Sequence, residues 1–90
     1  MKIKNKQTIL QEAQNIVYES DSKRLQYGEI TQTYQKTSEA FRALTGVLIE
    51  PEHVGILLVL FKLNRECNSH KRDNLVDACG YLTGIEELYI

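Results

Sequence analysis

Val54-Gly55-Ile56-Leu57-Leu58-Val59-Leu60-Phe61 is an unbroken apolar run that starts three residues after the chain's single proline, Pro51, and its placement governs the rest of the fold. It is too short to cross a bilayer, which takes about 20 residues. Periodicity alone does not separate a buried strand over 54–61 from a helix that is apolar on every face. The flanks favour a helix. Pro51 suits the first helical position, where no N–H partner is needed, and Glu50 and Glu52 favour the positive end of a helix dipole. Ile49 and Val54 take the two places of a hydrophobic staple, and the pattern continues from Lys62 to Glu66. A helix apolar all round belongs at the centre of a bundle and extends into a subunit interface.

Three other segments read as helices. One proline and five glycines are too few for the many tight turns of an all-β domain. The first helix runs from about Ile9 to Tyr18, with Ile9, Ala13, Ile16 and Val17 at helical spacing, and Thr8 with Gln11 forms a capping-box pattern. Ser20 to Lys23 reads as a loop and Tyr27-Gly28 as a turn. The second helix lies between about Glu29 and Leu44. Ile30, Tyr34, Phe41 and Leu44 make one stripe, interrupted by Thr37 and Ser38, and Gly46 stands where a left-handed cap is wanted. The fourth runs from about Asn74 to Leu88, with Asp73 as N-cap and Leu75, Ala78, Cys79, Leu82, Ile85 and Tyr89 as its inner stripe. Gly80 and Gly84 share a face with Asp73 and Asp77, where a neighbouring helix can come close. The expected fold is all-α: a compact bundle of about four helices, one domain over 1–90, with 1–7 as a flexible basic arm. A 90-residue chain without disulfides buries only about 60–65% of its unfolded surface, so a homo-oligomer is expected.

Charge narrows the partners. Eleven basic residues against 12 acidic ones give a net charge of −1, which disfavours non-specific binding to nucleic acid or anionic membrane. The basic clusters are short and lack interleaved aromatics, and no helix-turn-helix spacing stands out, so sequence-specific nucleic-acid binding is not expected. No apolar stretch of signal-peptide length follows Lys2, Lys4 and Lys6. The expected location is the cytoplasm, that of the host cell if the protein is phage-encoded, with Cys67 and Cys79 as reduced thiols. Cys67, His70 and Cys79 offer three ligands where structural zinc usually has four. A Cys67/His70 nucleophile pair would need an orienting third group that the sequence does not identify.

One constellation carries chemistry. Lys62, Arg65 and Glu66 close the third helix, and Asp73 and Asp77 open the fourth. Carboxylates one helical turn apart, about 6 Å along the axis, can share Mg²⁺ with substrate phosphates completing its shell. That makes Glu66, Asp73 and Asp77 the candidate metal ligands. Lys62 and Arg65 would hold phosphate, and Tyr81 would add a ring to stack on a base, so Lys62, Arg65, Asp73, Asp77 and Tyr81 form the candidate ligand-binding set. The purely structural alternative makes Asp73 a cap and pairs Asp77 with Lys62 or Arg65.

Three segments together carry a family resemblance: Arg24-Leu25-Gln26-Tyr27-Gly28-Glu29; Pro51-Glu52-His53-Val54 leading to Leu60-Phe61-Lys62-Leu63-Asn64-Arg65; and Asp73-Asn74-Leu75-Val76-Asp77-Ala78-Cys79-Gly80-Tyr81. Over roughly residues 24–88 the chain resembles small phage and prophage proteins of unknown function that look distantly related to MazG-like all-α nucleotide pyrophosphohydrolases. The resemblance implies a helical fold and a phage or prophage origin. MazG-like enzymes hold Mg²⁺ with a Glu-x-x-Glu and a Glu-x-x-Asp motif. Asp77 matches the final Asp, but Asn74 replaces the Glu, and the preceding helix has no Glu-x-x-Glu. The expectation is therefore an accessory protein without a cofactor that binds a host protein or a nucleotide-like ligand. The alternative is a divergent Mg²⁺-dependent pyrophosphohydrolase.

Overall fold

The first helix begins with a reciprocal cap. In a computed structural model, which describes residues 7–19 and 29–90, the Thr8 N–H donates to Gln11 Oε1 at 2.9 Å and the Gln11 N–H to Thr8 Oγ1 at 3.2 Å. Two N–H groups that a helix start leaves orphaned are thus satisfied. They open α1 (Ile9–Gln14), which widens into a π-helical turn over Asn15–Glu19. α2 spans Ile30–Thr45 and ends at Gly46, whose φ of 73° is the left-handed conformation expected there. α3 spans Pro51–Asn68 with Pro51 at its start, and α4 spans Arg72–Glu87. The described residues form four helices and no strand, and 54–61 is helical. The expected Tyr27-Gly28 turn, the Ser20 to Lys23 loop and residues 1–6 of the basic arm lie outside the described residues.

The core is built around one tyrosine. Tyr34 is 1% exposed, and its hydroxyl donates to the Tyr81 carbonyl at 2.9 Å, which ties α2 to α4. Its ring edge fills two glycine notches. A Cβ at Gly84 would stand 2.5 Å from Ile30 Cδ1 and 2.9 Å from Tyr34 Cε2, and one at Gly55 would stand 2.5 Å from Ile85 Cγ1 and 3.0 Å from Tyr34 Cε2. These glycines let α2, α3 and α4 approach at the level of Tyr34. The close approach expected at the paired glycines of α4 is therefore present at Gly84. Gly80 has a looser neighbour, Val17, at 3.5 Å.

Two expectations need correction. Within the chain the central helix is α4 rather than the apolar α3. α4 packs against α1, the π-helical turn, α2 and α3, and buries Asn74, Val76, Ala78, Gly80 and Gly84. α3 buries Val54 and Gly55, while Ile56, Leu57, Leu60, Phe61 and Leu63 stay exposed. The inner stripe expected for α4 also shifts. Ala78 is buried, but Leu82 and Tyr89 face outward. Both differences have one cause: around Tyr34 the helices meet through the small Gly55 and Gly84, which leaves large side chains of α3 and α4 on the outside.

α2 extends beyond its supports. Tyr34 lies about 16 Å of helix before its end, whereas Gly55, which faces Tyr34, lies only about 6 Å into α3. Every residue from 39 to 48 is exposed. The inward stripe of α2 thus begins buried at Tyr34 and Ser38 and reaches water at Phe41, which is 38% exposed.

Candidate functional site

A connection of only three residues, 69–71, keeps the end of α3 beside the start of α4. Glu66 organises this junction from the last turns of α3. Its Oε1 accepts the Lys71 backbone N–H at 3.0 Å and the Asn74 side-chain amide at 3.3 Å, and its Oε2 lies against His70 Nδ1. The carboxylate faces the positive end of the α4 dipole. The hydrogen bond with His70, and then the one from Lys71, hold the Glu66 carboxyl below its ordinary value.

The Glu66 contacts account for a further correction. Asp73 is not the N-cap of α4; it is an exposed residue of the first turn. Lys71 is the extended residue before the helix, at φ −141° and ψ 132°, and it supplies no side-chain cap of its own. Glu66 satisfies the N–H of Lys71 from the neighbouring helix instead.

Of the two partners open to Asp77, the fold selects Lys62. Lys62 Nζ lies 2.8 Å from Asp77 Oδ2, with the lysine side chain largely covered between α3 and α4. Arg65 takes another direction: its guanidinium sits 4.5 Å from the centre of the Phe61 ring, on the outer side of α3. Tyr81 is half-buried and meets Tyr34 through its carbonyl. Burial, and then the neighbouring Tyr81 phenol, push the Tyr34 phenol well above the ordinary tyrosine value. The structure therefore joins Lys62 to Asp77 and Glu66 to the start of α4, while Arg65 and Asp73 face solvent. Among the described residues, no three His, Cys, Asp or Glu side chains converge as a metal site. Cys67 is exposed and Cys79 half-buried, both as free thiols.

Sequence reasoning missed two anchors. Asn74 is a buried polar residue, and Glu66 is its partner. Arg72 reaches across to α1: Nη1 lies 2.9 Å from Glu12 Oε2, and Nη2 donates to the Gln7 carbonyl at 2.8 Å. Both paired atoms of the Arg72–Glu12 contact are sealed from solvent, so each depends on the other as counter-charge. The partners are too distant in sequence for any spacing rule to connect them.

The outer face of α3 contrasts with this junction. Ile56, Leu60 and Leu63 follow one another at helical spacing, flanked by Leu57 and Phe61, and all five are exposed. Lys62, the one charged residue between Val54 and Asn64, turns inward to Asp77.

Fold and site together define a small all-helical protein whose junction pairs Lys62 with Asp77 and ties Glu66 to the start of α4, and whose third helix turns an apolar face outward. By sequence the chain belongs to the DUF6378 family, a domain of unknown function, which matches residues 8–89. No curated protein and no solved structure matches it. Among the described residues, no helix is long and apolar enough to cross a membrane.

Proposed function

We propose that this chain acts by binding rather than by catalysis, as a self-associating accessory protein of phage or prophage type in the cytoplasm. The observation that carries this reading is the apolar, exposed face of α3, from Ile56 to Phe61. An apolar face of this kind, bordered by polar residues, is the usual mark of an interaction surface. A host protein fits it by hydrophobic contact. A nucleotide-like ligand would instead use Lys62 and Arg65 near the junction, with Tyr81 further along α4.

The alternative is a divergent MazG-like, Mg²⁺-dependent pyrophosphohydrolase. It requires Glu66, Asp73 and Asp77 to leave their present surroundings and meet on one ion. Glu66 would surrender its contacts to His70, Lys71 and Asn74, and Asp77 its pair with Lys62. Carboxylates already matched by hydrogen bonds and a counter-charge are weaker ligands for a hard cation.

Incubation of a nucleotide panel with the full chain and Mg²⁺ separates the two readings. The expected outcome is no release of pyrophosphate even at high protein concentration. Release that is abolished in Asp77→Asn would overturn the binding reading. A thermal upshift with a nucleotide, without turnover, would identify the nucleotide-holding form of the proposal.

A further inference from the structure

Building on the binding reading, we propose that the occupant of the α3 face is a second copy of this chain. In the pair, the free end of α2 and the residues that follow it, 39–48, serve as an arm laid on the partner's α3. Three observations lead to this.

The first is the poverty of the protomer core. Among the described residues its buried apolar side chains are Ala13, Tyr34, Val54, Val76 and Ala78, and the largest that are fully covered are Tyr34 and Val76. A chain this small with so few large residues inside needs another source of burial, and association supplies it.

The second is the arm itself. Phe41, Leu44, Val47 and Leu48 are all exposed, with Leu44 at 87%, on a stretch where every residue is in water. An isolated helical end gains nothing from exposing such residues.

The third is self-complementarity. At about 150 Å² for a fully exposed large apolar side chain, the lower end of the aromatic range, the arm and the α3 face each leave on the order of 400 Å² of apolar surface in water. Each is within the roughly 300–600 Å² of the largest patch on a typical monomer, and together they approach the ~800 Å² per partner of a standard interface. One chain carries both surfaces, so a two-fold axis satisfies two arms and two faces at once. Charge does not oppose the pairing. The net charge is −1, and the arm carries one acid and one base in Glu39 and Arg42. The facing run 54–61 has no charge of its own; Arg65 over the Phe61 ring is the cation at its edge, and Glu39 on the arm is available as its counter-charge.

Light scattering and sedimentation of the full chain, from about 1 μM to about 1 mM, test the proposal. The expected species is a dimer of twice the 10.4 kDa chain mass. Leu44→Glu is expected to weaken association at least tenfold with unchanged helical circular dichroism, since that side chain contributes almost nothing to the protomer's own packing. Leu60→Asp, on the α3 face, is expected to do the same; if it fails to fold, Leu44→Glu still decides the matter. Dimers that tolerate Leu44→Glu but not Leu60→Asp would overturn the arm, and dimers that tolerate both would overturn the interface. A wild-type monomer over the whole range would overturn self-association altogether. Pyrophosphate release, measured separately, reports on the binding reading independently of all these outcomes.

Discussion

Tyr34 shows how much of this fold rests on single residues. Its ring occupies the space that side chains at Gly55 and Gly84 would fill, and its hydroxyl satisfies the Tyr81 carbonyl on α4. Tyr34→Phe keeps the ring and loses the hydrogen bond. It is expected to cost about 1 kcal/mol in denaturant unfolding. Gly84→Ala is the harsher change, because its methyl would meet the branched stem of Ile30, at 2.7 Å from Cγ1, as well as the Tyr34 ring. A loss of about 1–3 kcal/mol is expected, and unaltered stability would show that α2 yields at that contact. The need for close packing at Gly84 was legible in the sequence, since glycine is costly inside a helix, whereas a Cβ at Gly80 would meet Val17 at a looser 3.5 Å. Which residue fills the Gly84 notch was not legible, because Tyr34 sits 50 positions earlier than Gly84.

At the scale of elements, the ends of helices were the most readable feature. The Thr8/Gln11 cap, the Pro51 start and the Gly46 stop all lie where local chemistry places them. Thr8→Ala is expected to cost about 1 kcal/mol, seen as fraying of α1 by hydrogen exchange. The start of α4 is the exception, because its cap comes from Glu66 on α3 and no local pattern announces it. Glu66 also links the junction to pH. Its folded carboxyl titrates below its unfolded value, so its contribution is complete above that unfolded value and is lost as pH falls through the folded one. Glu66→Gln removes this titration. The fall of melting temperature on acidification below the ordinary glutamate value of 4.5 is expected to be shallower in the variant. An identical acid limb in both proteins would assign the acid sensitivity to other carboxylates. The candidate site was legible as a set of charges at the α3–α4 junction, but the pairing was not. Lys62 and Arg65 are equivalent choices on paper. Only the direction each side chain takes from α3 gives Asp77 to the first and the Phe61 ring to the second.

At the scale of the molecule, α4 binds the other helices together and Arg72 pins α1 to it. Arg72→Ala removes the counter-charge from a sealed Glu12 oxygen and the donor to the Gln7 carbonyl. Faster amide exchange is expected through residues 8–19, with α2 and α3 protected as before; uniform acceleration everywhere would mean that α1 is integral to the core. The sequence by itself determined the all-helical class, the approximate span of each helix and the presence of an apolar third helix, because these follow from side-chain period, caps and breakers within a few residues. The tertiary structure alone decided which helix is central. It also decided which charges pair and which apolar residues remain in water. Those outcomes depend on distances between segments far apart in the chain, and above all on whether a small or a large side chain stands where helices meet. The run 54–61 illustrates the division: its composition made it helical and apolar, but the glycines of α4, by drawing the other helices around α4, left the outer side of α3 uncovered.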